Sequence, residues 1–336
     1  MASIQTETVS YDQLFSLAER TETDRISDNI GNSQPTLDLF HAAGQVELAS
    51  GGESISEDLL YAYQDIEWMS DRQGVSTSDK EGVTQAIYPW RFALAPINIS
   101  KTDELKAQAS ANKAMDFATS KITMARQGLR TGINTAMNGL SSGKIMLGNQ
   151  DLVRDSVAVG TLGGINLANS ANSWFRNNAY TTSVTFTTQT VATIYNGWDA
   201  VGAQYEAASD VNEEITHIAA GSTLYNKMLT SLEGHGYTQF VGRGKAALGA
   251  GGQRVGSGPN FRGAIVYKDR AVAASHIYGY NIMAMKLKVM RGANFSRLPF
   301  AEAHASGVLA KVSFYLVGIQ FVALNPRRTF VLSAVS

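Results

Sequence analysis

The chain contains no cysteine. That excludes disulfides and thiolate chemistry, and it fits synthesis in a reducing cytoplasm. Long apolar runs are also missing. The longest, VSFYLVGIQFVAL at 312–324, falls short of the roughly 20 residues that a membrane-spanning helix needs. The opening MASIQTETVS has neither the charged nor the apolar region of a secretory signal. Histidines are few and scattered: His41, His217, His235, His276 and His304 contain no i,i+4 pair. Without cysteine, a metal site would need distant histidines and carboxylates, so each histidine reads as a surface or hydrogen-bonded core residue.

Catalytic motifs fail one after another. Gly244-Lys245 is not a P-loop, because Gln239 stands where its first glycine belongs and Ala246 follows the lysine. Gly143-Lys144 fails the same way, with Asn138 and Ile145. A dinucleotide fingerprint through Gly249 and Gly251 would need glycine at Arg254. The segment GLSSG at 139–143 matches a nucleophile elbow around Ser141 in letters. That motif requires a strand before it, whereas a helical pattern precedes it here. Asp210, Glu213 and Glu214 read as a solvated acidic patch rather than a paired acid and base.

What is present points elsewhere. Residues 1–100 hold 16 Asp/Glu and 5 Lys/Arg, a balance of −11, against 13 and 23, or +10, in the remainder. Either two lobes of one subunit attract each other, or an acidic N-terminal part lies across a basic neighbour. Residues 1–35 are polar and read as an extended arm. Two β-leaning stretches, ISEDLLYAYQDIEWM and TQAIYPWRFALAPINIS, flank the polar tip SDRQGVSTSDKEG (70–82), which predicts a long hairpin. From the cap-like Ser100–Asp103 onward, Leu105, Ala109, Met115, Ala118, Ile122, Ala125, Leu129, Ile133 and Leu140 recur at helical spacing. About 40 helical residues would span roughly 60 Å, longer than a compact globule of this size, unless the helix kinks at Gly128–Gly132.

Beyond it, GWDAVGAQYEAA reads as helix and ITHIAAGSTLYNKMLTSLE as a buried strand running into a helix. GAIVYKD, AMKLKVM, KVSFYLVGIQFVAL and TFVLSAV read as strands. The fold class is α+β. Between them GRGKAALGAGGQRVGSGPNFRG (242–263) places eight glycines among four arginines and lysines. Lys106, Lys113 and Lys121 put cations along the helix, suited to weak, sequence-independent contact with nucleic-acid phosphates.

Four stretches, in this order, resemble the tailed-bacteriophage major capsid proteins of the Hong Kong 97 fold. They are the hairpin running into SKTDELKAQASANKAMDFA, then TLGGINLANSANSWFRNN, then NFRGAIVYKDR, and last IYGYNIMAMKLKV with VGIQFVALNPRRTFVLSAV. The resemblance implies an N-terminal arm (1–50), an extended β-hairpin loop (51–100), a peripheral domain with a spine helix (101–150), an axial domain (151–275) and a return to the peripheral sheet (276–336). It implies a shell subunit without catalysis or cofactor, forming pentamers and hexamers around packaged double-stranded DNA, in a virion assembled in the bacterial host cytoplasm. Portal, and separate scaffolding or decoration proteins, would be its further partners.

Trp68, Lys80, Tyr88 and Trp90 of the hairpin would then meet a neighbouring subunit. Gly242, Lys245, Gly251, Arg254 and Gly258 would belong to an adaptable loop at the capsomer axis, where glycine allows different conformations in pentamers and hexamers. Some relatives crosslink a loop lysine to an asparagine; Lys80, the only lysine among the first 100 residues, would be the candidate, with a charged turn residue as the plainer reading. Some relatives also carry a cleaved scaffolding segment of about a hundred residues, which this arm does not match. An encapsulin-like shell is the alternative, and an enzyme without a recognisable motif a more distant one.

Overall fold

The computed structural model describes residues 15–18, 34–69, 71, 74, 78–102, 111–184, 186, 191–211, 213–233, 240–241, 258–302 and 310–335. Pro35–Ala42 forms α1 and Val46–Ala49 β1; Ser54–Leu60 (β2) and Val83–Pro89 (β3) form a hairpin, followed by Arg91–Ser100 (β4) and the helix Ala111–Asn138 (α2). A ribbon of Thr161–Leu162 (β5) and Ile165–Asn166 (β6) leads to Asn178–Tyr180 (β7) and Val191–Ala208 (α3). His217–Ala220 (β8), Ser222–Glu233 (α4), Phe240–Val241 (β9), Gly258–Phe261 (β10) and Ala264–Lys268 (β11) follow. Ile277–Tyr280 (β12), Met285–Met290 (β13), Ser296–Arg297 (β14), Ala301–Glu302 (β15), Ala310–Ala323 (β16) and Thr329–Leu332 (β17) complete the strands.

Two sheets carry the molecule. In the first, the 14-residue β16 pairs β4 along one edge and β13, β14 and β15 in succession along the other, with β1 parallel to β13. Ala118, Ile122, Ala125, Leu129, Ile133 and Met137 line one face of α2 and share a core with Ile97 and Ile99 of β4 and Tyr315 and Val317 of β16. With that stripe buried, the helix runs unbroken through Gly128 and Gly132 rather than dividing into two there. Its 28 described helical residues span about 42 Å. Leu140 lies past the helix end and is exposed, against the periodicity reading.

The second sheet has the order β7-β17-β12-β8-β11-β10-β9. Every residue of β12 and β17 is buried, as expected for strands covered on both faces. Tyr278, Tyr280, Ala219 and Val331 face the α2 side. Ile277, Ile218, Phe330 and Leu332 pack instead with Trp198 and Val201 of α3 and Leu224 and Met228 of α4.

The junction between the two cores is polar. Asp269, just after β11, is 1% exposed. Its carboxylate accepts hydrogen bonds from Thr36 Oγ1 (2.7 Å), Asn134 Nδ2 (3.0 Å), Asn138 Nδ2 (3.1 Å) and Ala271 N (2.8 Å). It thereby ties α1, α2 and the second sheet at one point. Beside it His217 lies against the rings of Tyr280 and Tyr267 and contacts Thr216 Oγ1 through Nδ1. Burial pushes the imidazole down to about 4.

A histidine held neutral by the fold but free to protonate when unfolded makes the unfolded state the stronger proton binder below about pH 6.5. Stability should therefore fall as pH drops from about 6.5 to 4, with no effect of this residue above that window. Chemical denaturation of the unassembled chain at pH 7 and pH 4.5 should lose about 2–3 kcal/mol more in the natural protein than in His217→Phe. Equal losses in both would refute the assignment.

Candidate functional site

The hairpin is where the fold leaves apolar surface uncovered. Its seven cross-strand pairs run from Ser54↔Pro89 to Leu60↔Val83. One face buries Ile55, Leu59, Ala86 and Tyr88; the other exposes Leu60, Val83 and Ile87. The ladder then stops, because Gly82 O takes the N–H groups of both Tyr61 and Ala62. Residues 61–69, expected to continue the first arm as a strand, have no regular structure. Side-chain bonds hold the two legs together instead: Gln64 bridges to Asp79 and to the Lys80 backbone, and Lys80 Nζ pairs with Asp65 at 3.0 Å.

Along this segment Tyr63 is 82%, Ile66 83% and Trp68 90% exposed, and Met69 is exposed beside them. Single exposed apolar residues are ordinary, but a contiguous run of them on a projecting segment marks a contact surface. The stretch from Glu57 to Glu81 carries seven carboxylates and two cations. The projecting segment begins beyond Leu60, the last residue of β2, about 20 Å along the strand from Ser54.

A buttress aims the hairpin. The β5–β6 turn puts Gly163 at φ +56° with its oxygen accepting Ile87 N–H at 2.8 Å. A Cβ there would lie 2.8 Å from Ala86 Cβ and 3.0 Å from the Tyr88 ring. Trp174 stacks on Tyr61 at 5.3 Å. Arg176 fixes this segment by donating to Leu167 O and Asn169 O, and Asn177 by bonding Arg154 through both N–H and O. The TLGGINLANSANSWFRNN stretch is thus the seat of the hairpin.

Gly163→Ala should cost about 2–4 kcal/mol, since it adds a close contact to left-handed backbone. Gly164, at φ +79° with nothing near a Cβ, supplies the control: Gly164→Ala should cost about 1 kcal/mol. Denaturant midpoints of the two variants would distinguish them; equal losses would mean that the Tyr88 contact does not matter.

A second apolar surface lies on the first sheet. On the face away from α2, Phe92 and Leu94 of β4, Phe314 of β16 and Leu298 are exposed. Phe92 sits opposite Gly318, Leu94 opposite Leu316 and Pro96 opposite Phe314. The hairpin root covers the neighbouring part of that face, with Tyr88 Oη donating to Ala323 O at 3.0 Å and Glu57 reaching Lys288.

The sequence-derived residues divide accordingly. Trp68 and Lys80 lie on the projecting segment. Tyr88 and Trp90 do not: both are buried within their own chain. The expectation that a neighbour buries them is corrected, because the hairpin root folds back on β16 and turns these rings inward. Trp90 also marks a switch of partner. The second arm divides at that point, β3 pairing β2 and β4 pairing β16. Gly258 begins β10, whereas Gly242, Lys245, Gly251, Arg254 and Lys106 lie outside the described residues. Lys113 lies on α2, its side chain outside the description, and Lys121 Nζ stands 5.5 Å from the Phe117 ring centroid.

Part of the charge asymmetry is satisfied within the chain. Asp38 pairs with Arg130, and Glu47 with Lys286 and Lys288. Asp210 and Glu213, read as a solvated patch, both pair with Arg328. Among the described residues no group of three histidine, aspartate or glutamate side chains could hold a metal, and no helix is long and apolar enough to cross a membrane. The gap between the hairpin legs, about 550 Å³ and lined by Leu60, Tyr63, Gln64, Asp79 and Lys80 among others, is held by a glutamine and an ion pair rather than by a nucleophile and base.

No protein-family model matches the sequence, and no curated protein matches it either. Solved structures do. The chain is similar to the capsid protein of cyanophage A-1(L), with TM-score 0.64, 16% identity, and coverage of 94% of this chain and 96% of that one. It is similar to the capsid of a native GTA particle at TM-score 0.63 and 11% identity, covering 94% of each chain. It is also similar to the SrpI encapsulin of Synechococcus elongatus PCC 7942, at 0.55 and 9% over 95% of each chain. The fold is therefore that of phage capsid proteins across nearly the whole chain, in agreement with the resemblance carried by the sequence.

Proposed function

We propose that this chain is the major capsid protein of a tailed double-stranded DNA bacteriophage, assembling as pentamers and hexamers into an icosahedral shell. One observation carries the reading. A chain with a capsid-protein fold over 94% of its length projects an uncovered strip, Tyr63, Ile66 and Trp68, beyond its own body. A second bare face, at Phe92, Leu94 and Phe314, lies elsewhere on the same subunit. Two different patches that complement each other make a head-to-tail contact, which generates a ring where the rotation closes. The hairpin of one copy would lie on the sheet face of the next.

In this reading α2 is the spine helix of a peripheral domain that includes the first sheet, and residues 151–275, with α3 and α4, form the axial domain; of the return segment 276–336, β13 to β16 join the first sheet, whereas β12 and β17 pair in the second. Residues 242–263 would contact their copies around the capsomer axis, and Lys106, Lys113 and Lys121 would meet packaged DNA without sequence preference. Portal and scaffolding or decoration proteins would complete the particle, assembled in the bacterial cytoplasm. The Lys80–Asp65 pair favours a charged turn lysine over a crosslinking one, since a paired ammonium is a poor nucleophile.

The encapsulin similarity keeps a second reading, a shell around cargo protein. Electron microscopy with size-exclusion chromatography tests both. Closed shells or five- and sixfold rings are expected, and DNA or cargo protein inside separates phage from encapsulin. A monodisperse small oligomer without rings, across salt and crowding conditions, would overturn the shell reading.

A further inference from the structure

The hairpin joins the body through two short passages. One is Ser50-Gly51-Gly52-Glu53, between β1 and β2; the other is Pro89-Trp90-Arg91, where the chain changes sheet. Gly52 takes φ +156°, a region in which other residues are strained, and a Cβ added at Gly51 would meet the Met290 side chain at 3.8 Å. This is the geometry of a pivot.

Across that pivot lies an ion chain. Glu47 precedes the two glycines and stands opposite Lys288 in the β1–β13 register, while Glu57 follows them on the inner face of the hairpin. Lys288 Nζ reaches Glu47 Oε2 at 2.9 Å and Glu57 Oε1 at 2.6 Å, with its side chain 7% exposed. Lys286 Nζ adds a contact to Glu47 at 3.1 Å. A lysine alternating with apolar residues on a strand is expected to face water. This one is instead enclosed between carboxylates from the two sides of a glycine pair.

We infer that Lys288 is the staple of a hinge at the hairpin root: it holds Glu47 and Glu57 together across Gly51–Gly52 and so sets the angle at which the hairpin leaves the body. Burial opposes the ammonium charge, but its hydrogen bonds to Glu57 and Glu47 outweigh that and raise its pKa. The same contacts hold Glu47 below the usual carboxylate range. Removing the ammonium leaves two carboxylates facing each other across the pivot, which drives the two segments apart. The other polar root contacts, Tyr88 Oη to Ala323 O and Ile87 N to Gly163 O, lie on the β3 leg, so the Lys288–Glu57 pair is the ionic tie from the β2 leg to the body. The consequence for assembly rests on the shell reading. A hairpin that reaches its neighbour at a set angle fixes the curvature between subunits, and a loosened one spreads it.

The absence of cysteine permits clean spin labelling of the full-length, unassembled chain. One label goes on the hairpin through Ser56→Cys and one on α2 through Thr135→Cys, both positions being exposed. A control pair, Thr135→Cys with Lys268→Cys, lies within the body. Pulsed electron paramagnetic resonance should give one narrow hairpin–body distance in the natural background. Lys288→Met should broaden that distribution at least twofold, and Glu57→Gln, which keeps shape and volume, should broaden it in the same direction by less. The control distance should remain unchanged in Glu57→Gln. A hairpin–body distribution unaltered in both variants would overturn the staple. Electron microscopy of the same variants reads the assembly consequence separately. A natural chain that forms no rings or shells refutes the shell reading while the distance measurement still decides the staple. Natural shells of one diameter with Lys288→Met shells of several would support both.

Discussion

Asp269→Ala should leave the chain unable to accumulate as a stable soluble subunit, or reduce its unfolding free energy by at least about 4 kcal/mol. The carboxylate is buried and accepts from Thr36, Asn134, Asn138 and the Ala271 backbone. Truncation orphans donors on three elements at once, and each buried donor left unmade costs roughly 1–3 kcal/mol. Neighbouring bonds would rearrange: Asn138 Oδ1 accepts from Asn149 Nδ2, and Asn134 Oδ1 from Leu37 N. Asp269→Asn retains one acceptor but turns an amide donor toward other donors, so its loss should be intermediate. Denaturant unfolding of the unassembled chains should rank natural protein, Asp269→Asn and Asp269→Ala in that order. A loss under about 1 kcal/mol for Asp269→Ala would show that water replaces the carboxylate and that the junction is not held there.

The sequence carried no sign of that junction, for a physical reason. Periodicity reports which face of an element is apolar. It made α2 readable through Ala118, Ile122, Ala125, Leu129 and Ile133, and β13 through Met285, Leu287 and Val289, all of which are buried. It cannot report a polar residue buried because partners arrive from afar. Asp269 closes a strand and looks like a turn residue; its partners Asn134 and Asn138 sit on the inner face of a helix, 135 and 131 residues away. Lys288 fails to stand out for the same reason: strand alternation turns it outward, and the hairpin then covers it.

Pairing partners are likewise tertiary. The TQAIYPWRFALAPINIS stretch is strand throughout except at Trp90, yet its halves belong to different sheets, a division set by which edges are open. The hairpin was legible from its turn-rich tip, but the end of its ladder was not. That end depends on two N–H groups sharing the Gly82 oxygen. Tyr88 and Trp90 were read outward because aromatic residues on a hairpin have no visible core, and the core they enter is built by residues more than 200 positions later.

The triple change Tyr63→Ser, Ile66→Ser and Trp68→Ser should abolish assembly while leaving the subunit folded. Each side chain is more than four-fifths exposed, so the folded monomer loses nothing it buries, and its stability should move by no more than about 0.5 kcal/mol. In the shell each would be covered. Burying a large apolar side chain contributes about 1.5–3 kcal/mol, so three lost together weaken one contact by at least about 4 kcal/mol, a thousandfold in dissociation constant. In the proposed shell every subunit would make that contact with its neighbour, so the deficit would repeat around a ring and the concentration needed for assembly would rise out of reach. Phe92→Ser with Leu94→Ser, on the face assigned to receive the hairpin, should produce the same defect, and mixing the two variants separates the roles. A head-to-tail contact lets one natural hairpin meet one natural face, so the mixture should form heterodimers that stop growing. Light scattering against concentration, with thermal melts of the unassembled chains, reads both effects. Assembly of the triple variant at the natural concentration would show that the exposed strip is not the contact, and a mixture that builds full rings would show that strip and face do not meet.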